Sequence, residues 1–90
     1  MDNTIEFGAN NALTDETATE IGKRLYERGA KAECPRCAGP MSVVANGLVA
    51  LPIFGGDDSA APHRVSCACV RCKQCGFVAL HSLDTLGLSL

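Results

Sequence analysis

Two cysteine pairs, Cys34-Pro35-Arg36-Cys37 and Cys72-Lys73-Gln74-Cys75, constrain this chain more than any other feature. Two residues between thiols let one tight turn aim both sulfurs at a single ion. Two such turns complete the tetrahedral shell of a structural zinc ion, with Zn–S distances of about 2.3 Å. The need for such a staple follows from size. A chain of 90 residues buries only somewhat more than roughly 60% of its unfolded surface, so its apolar core alone gives marginal stability. A bound structural metal contributes on the order of 10–16 kcal/mol, comparable with the whole stability of a small domain.

Six cysteines could instead form disulfides. The first thirty residues, however, contain no basic stretch followed by an apolar one, so no export signal is read and a cytoplasmic location is expected. In a reducing compartment thiols stay free, and paired Cys-x-x-Cys runs read as metal ligands first. The expected cofactor is one zinc ion, with Cys34, Cys37, Cys72 and Cys75 as ligands. No apolar run reaches the about eighteen residues of a membrane span.

The formal charge of -2 argues against a chain whose main task is neutralising phosphates. The charge is uneven. Residues 1–33 carry four cations against seven carboxylates, and residues 34–90 carry four against three.

Along the chain, residues 1–13 read as a flexible arm and residues 14–90 as a single domain. The domain comprises a helix over 14–29 and a four-cysteine segment over 31–90. Thr14 is the expected N-cap, with Asp15 and Glu16 in the first turn where carboxylates meet the positive end of the helix dipole. Ala18, Ile21 and Leu25, with Gly22, form a narrow apolar stripe, while Lys23, Arg24, Glu27 and Arg28 face water. Gly29 suits the left-handed position that closes a helix. Met41–Ala45 and Leu48–Leu51 flank Asn46-Gly47, the preferred pair for a type I′ turn, and predict a two-residue hairpin. Residues 55–62 read as a loop. His63 to Arg71 reads as a strand with Val65, Cys67, Cys69 and Arg71 on one face and Ser66, Ala68 and Val70 on the other. Phe77 to Leu80 reads as a last strand, and residues 81–87 as a short helical turn capped by Ser82.

With Cys34-Pro35-Arg36-Cys37 and Val70-Arg71-Cys72-Lys73-Gln74-Cys75-Gly76-Phe77 in view, the chain resembles the zinc ribbon class. It is similar in particular to small bacterial and phage zinc ribbon proteins over about residues 18–88. The resemblance implies a small α+β fold in which each knuckle caps a β-hairpin and a three-stranded antiparallel sheet carries one zinc at its end. It also implies Cys34, Cys37, Cys72 and Cys75 as ligands. One departure is visible. Many first knuckles place glycine directly after the second cysteine, whereas here Ala38 intervenes before Gly39, which suggests a turn shifted by one residue.

Cys67 and Cys69 are read as small apolar side chains on the buried face of their strand, since free cysteine is among the most buried residue types. Two positions apart on a strand is about 7 Å, too long for a relaxed disulfide. A second metal shared with His63 or His81, or a redox pair, is the competing reading. Arg36, Arg71 and Lys73 sit inside or beside the knuckles, where they either offset a doubly negative zinc-thiolate centre or touch nucleic acid. With one tyrosine, three phenylalanines and no tryptophan for base stacking, the first role is preferred.

A zinc ion held by four cysteines has no open position for water, so no enzymatic activity is expected. The function expected is that of a protein–protein adaptor, or an inhibitor or subunit of a larger complex. Its contact surfaces would be the helix and the apolar segment from Leu48 through Leu51 and Ile53 to Phe54. That segment leaves few polar positions for water, so either the N-terminal helix covers its second face or a protein partner or a second copy of the chain does. The alternative is a nucleic-acid-binding ribbon contacting DNA or RNA through its knuckles.

Overall fold

The computed structural model describes residues 3–53 and 63–90, with an N-terminal helix and a four-stranded antiparallel sheet. It is the α+β arrangement expected from the sequence. Helix α1 spans Asp15–Glu27. Its start is set by Thr14, whose hydroxyl oxygen accepts the Thr17 N–H at 3.2 Å. Its end is set by Gly29, which takes φ +91, a left-handed conformation that costs glycine little.

The buried stripe is Thr17, Ile21 and Leu25, one residue out of step with the expected start at Ala18. A threonine can replace alanine there because its hydroxyl is satisfied. It accepts from the Thr14 hydroxyl at 3.0 Å and from the Glu6 N–H at 3.2 Å, so no polar group is stranded.

The strands are β1 (Met41–Val43), β2 (Val49–Ile53), β3 (His63–Cys72) and β4 (Val78–Ser82). β3 is the spine of the sheet. Val70 lies opposite both Val43 of β1 and Ala79 of β4, and Cys67 opposite both Val49 of β2 and Ser82 of β4. β1 and β2 therefore lie end to end along one edge of β3, with β4 along the other.

The Asn46-Gly47 hairpin expected from the sequence is thus corrected. β1 and β2 do not pair with each other, and residues 44–48 loop out of one interrupted edge strand. The loop is tied down on both sides. The Val44 N–H donates to the Cys69 carbonyl, and the Ala45 carbonyl accepts the Leu13 N–H, each at 2.8 Å. Long-range bonds to β3 and to the N-terminal segment supply what a local turn would otherwise provide. The predicted loop at 55–62 and Phe54 lie outside the described residues.

Alternation along β3 gives the sheet two unlike faces. Ala68 and Val70 point toward α1 and join Ile5, Leu13, Ile21, Leu25, Leu83, Leu86 and Leu88 in the apolar core. The opposite face holds Val65, Cys67, Cys69 and Arg71. The cysteines thus occupy the face away from the helix; Cys67 is buried there, as read from the sequence, whereas Cys69 is only half-buried. The small Ala68 side chain, fully buried, leaves room for a helix on its own face.

The segment read as an arm lies against the domain from Asn3 to Leu13. Ile5 and Leu13 are core residues. The Ile5 N–H donates to the Ser89 carbonyl at 2.7 Å, and the Ser89 N–H to the Asn3 carbonyl at 2.8 Å. β4 runs on through His81 and Ser82, where a helical turn was expected, and residues 83–87 form a turn. Arg24, expected to face water, instead reaches across to this tail. Its guanidinium donates to the carbonyls of Leu86 and Gly87 at 2.9 and 3.1 Å, to Asn3 Oδ1 at 2.8 Å and to Glu20 Oε2 at 3.0 Å. Among the described residues no helix is long and apolar enough to cross a membrane.

Candidate metal centre

Each Cys-x-x-Cys turn caps a pair of antiparallel segments, and the two turns are built alike. In the first, the Cys34 N–H donates to the Gly39 carbonyl at 2.8 Å and the Ala38 N–H to the Cys34 carbonyl at 2.9 Å. In the second, Cys72 and Phe77 repeat the first bond at 2.8 Å, and Gly76 and Cys72 repeat the second at 3.1 Å. The first turn leads into β1 and the second joins β3 to β4. Because Met41 pairs with Cys72 across the sheet, strand register brings the two turns face to face.

The result is a cluster of Cys34, Cys37, Cys72 and Cys75 whose sulfur atoms all lie within 4.8 Å of one another. Cys34 Sγ is 3.6 Å from Cys75 Sγ, and Cys37 Sγ is 3.5 Å from Cys72 Sγ. A tetrahedron with metal–sulfur bonds of about 2.3 Å has edges of about 3.8 Å, so these spacings suit a single ion. Four thiolate donors are also the chemistry that borderline and soft metals take.

Backbone N–H groups point at the sulfurs. Arg36 donates to Cys34 Sγ at 3.3 Å, Gly39 to Cys37 Sγ at 3.4 Å, and Gln74 and Cys75 to Cys72 Sγ at 3.4 Å each. Such bonds stabilise negative charge on sulfur. The Cys75 N–H, with that of Gln74, holds the Cys72 thiol down to about 6 against the cost of burial. At Cys34 burial pushes the pKa up, but N–H groups of Arg36 and Cys37 and the Cys75 thiol outweigh it, and the net shift is downward. Cys37 goes the other way. The Gly39 N–H draws its pKa down, but burial and the neighbouring sulfurs push it up to about 12. Four thiolates this close repel one another unless a cation sits among them, so loading the site must expel protons.

Two details were not legible as sequence. Ala38 takes φ +62, the left-handed position that Gly76 fills at φ +84 in the second turn. The first turn is therefore not shifted by a residue, as expected, but has alanine where glycine is the usual occupant. Gly39 is needed for a different reason. A Cβ there would lie 2.9 Å from Gln74 Cβ and 3.2 Å from Cys37 Sγ, so its bare backbone is what lets the second turn close onto the first.

The other candidate residues are placed as follows. Cys67 is buried and Cys69 half-buried, and neither joins the four-cysteine cluster. Arg36, Arg71 and Lys73 are exposed, and among the described residues their side chains make no hydrogen bond or ion pair. What donates to the sulfurs in the first turn is backbone, including that of Arg36. Leu48 is half-buried against the core, while Leu51 and Ile53 are exposed. His81 lies half-buried in β4 on the helix side, opposite Ala68.

No protein-family model matches the chain, and neither a curated protein nor a solved structure matches it.

Proposed function

We propose that this chain is a non-enzymatic zinc protein that works as a protein–protein adaptor, or as an inhibitor or subunit of a larger complex. One structural zinc ion would be held by Cys34, Cys37, Cys72 and Cys75. The sulfur spacing and the N–H donors support that assignment, and a shell of four thiolates leaves no position for a reacting water. The ion's part is to lock the two turns together and so fix β1, β3 and β4 in register.

The observation that carries the adaptor reading is the sheet face turned away from α1. Strand register places Leu51, Ile53, Val78 and Leu80 on that one face, and their exposures are 39%, 47%, 51% and 39%. Val49, Val65 and Cys69 lie among them and are half-buried. A sheet with one covered face ordinarily shows polar side chains on the other, and a contiguous apolar patch is costly to leave in water. Arg71, opposite Val78, and Ser42, opposite Arg71, border the patch with polar groups, as at the rim of an interface.

The test is affinity capture with the tagged, zinc-loaded chain and with a Leu51→Lys, Leu80→Lys double variant whose zinc content and circular dichroism are unchanged. The adaptor reading expects a discrete retained protein that the variant loses. Equal retention by both forms overturns it. Retention of nucleic acid that disappears when Arg36, Arg71 and Lys73 are neutralised together, and weakens steeply with salt, would replace it with the nucleic-acid reading.

A further inference from the structure

The outer edge of β4 lies beside a groove on the helix side of the sheet. The Cys72 N–H donates to the Phe77 carbonyl and the Leu83 N–H to the Ser66 carbonyl, at 2.8 and 2.9 Å. These bonds fix the phase of the ladder. In an antiparallel pair, positions that exchange backbone bonds alternate with positions that do not. Ala79 opposite Val70 and His81 opposite Ala68 are therefore the bonded positions, and the N–H and C=O groups of Val78 and Leu80 point away from β3. Among the described residues nothing pairs with that edge.

The edge also lacks the usual protection against strand addition. Val78-Ala79-Leu80-His81-Ser82 contains no lysine, proline or carboxylate, the residues that ordinarily blunt an open strand.

Beside this edge the helix side of the sheet is only partly covered. α1 packs on β1 and shares the core with Ala68 and Val70 of β3, leaving a groove of about 670 Å³ whose lining includes Leu25, Tyr26, Val43, Val70, Ala79 and His81. Tyr26 stands at its lip, 77% exposed. A strand added about 4.8 Å outside β4 would turn every second side chain to the helix side, next to that groove.

We propose that the free edge of β4 takes an extended segment of the partner protein as an added strand, with one apolar side chain of that segment seated in the groove between α1 and β4. Backbone bonds to Val78 and Leu80 supply affinity, and the groove supplies side-chain choice. The groove favours a foreign segment over a second copy of the chain. Pairing two β4 strands about a two-fold axis would bring only Phe77, Ala79 and His81 to the helix side; Phe77 is already half-buried in the wall of its own groove, and neither a methyl group nor a half-buried imidazole fills a cavity of that size. This inference rests on the adaptor reading and names the chemistry of its partner.

The test uses the zinc-loaded full chain and fluorescein-labelled synthetic heptapeptides, with threonine alternating with leucine, isoleucine, phenylalanine or methionine, read by fluorescence anisotropy. Saturable binding is expected for a subset that prefers a large apolar residue at one position. In the tightest peptide, N-methylating successive residues should weaken binding by about tenfold at every second position and little at the others, because only alternate N–H groups face β4. Ala79→Leu should abolish the preference at the apolar position. The N-methyl series needs no protein variant, so it decides the matter even where Ala79→Leu disturbs the fold. Absence of saturation in every peptide up to about millimolar, or N-methyl effects without the two-residue period, overturns the proposal. So does a dimer by light scattering whose β4 amides exchange slowly. A failure here combined with capture that still depends on Leu51 and Leu80 would leave the adaptor reading standing.

Discussion

Replacing Arg24 by methionine keeps an unbranched stem of similar length and removes the guanidinium that joins α1 to both ends of the described chain. Four bonds are lost. A bond from a charged donor to a shielded acceptor contributes about 1.5–3 kcal/mol, and the bond to the Leu86 carbonyl, part-buried at 2.9 Å, falls in that class. The bonds to Gly87 and Asn3 are exposed and are counted at a few tenths each. The pair with Glu20 is an i,i+4 helix contact with side-chain exposures of 20% and 22%, of a kind that contributes about 0.3–0.5 kcal/mol. The total is about 2–4 kcal/mol. In a domain of this size 1 kcal/mol moves the midpoint by roughly 4–8 °C, so thermal unfolding of zinc-loaded Arg24→Met should occur at least about 8 °C lower. Arg28→Met, at an exposed position near the end of the same helix, should change stability by less than about 0.5 kcal/mol. Two local signatures accompany the loss. The Ile5 and Ser89 amides should exchange faster, and the Glu20 carboxyl, whose pKa is lowered chiefly by its bond from Arg24, should return toward the ordinary carboxylate range in an NMR titration. A midpoint shift no larger than that of Arg28→Met, with Ile5 and Ser89 still protected, would refute the reasoning.

Ala38→Gly should stabilise the zinc-loaded domain by about 0.5–1 kcal/mol, since relief of a left-handed alanine, about 1–2 kcal/mol, exceeds the added chain entropy of glycine. Gly39→Ala should cost about 1–3 kcal/mol by forcing the two turns apart, and both are read by thermal unfolding at fixed zinc. Zinc release, followed with a chromophoric chelator from about pH 7.5 down to about pH 5, should increase as the pH falls. Cys37, at about 12 without metal, must lose its proton on binding, so acid competes for the site and the stability due to the metal disappears toward low pH. In the zinc-loaded protein iodoacetamide should modify half-buried Cys69 before buried Cys67, and mass spectrometry of the digested protein reports the order. Faster labelling of Cys67 would contradict the placement of these residues in the sheet.

What could be read beforehand was local in character. Thr14 before two carboxylates and Gly29 after the last turn marked the helix because caps act within a few residues. The two Cys-x-x-Cys turns marked the four-cysteine cluster because their geometry is set by the residues between the thiols. Other features depended on distant partners. Asn46-Gly47 has strong hairpin chemistry, yet bonds to Cys69 and Leu13 hold its neighbours in line along β3. The face of β3 that meets the helix could not be chosen from a strand with small or apolar residues on both sides. Arg24 reads as solvated on any helical wheel, and only the carbonyls of Leu86 and Gly87 give it another role. Gly39 carries no signal of its own, because the atom it must avoid belongs to Gln74.

The pairing of Ile5 with Ser89 also sets an order of events during synthesis. Ile5 leaves the ribosome among the first residues of this stretch, yet the chain that covers it emerges only after both Cys-x-x-Cys turns have been made. The contact between Asn3 and Ser89 spans 86 positions, whereas that between Cys34 and Cys75 spans 41. Closing the larger loop in an otherwise unfolded chain costs more entropy. Zinc capture would therefore come first and draw the distant segments together, and Ile5 would wait uncovered for the tail. With zinc bound in this way, the nascent chain would have an interval in which it is metallated but unfinished, with an apolar side chain available to whatever is nearby.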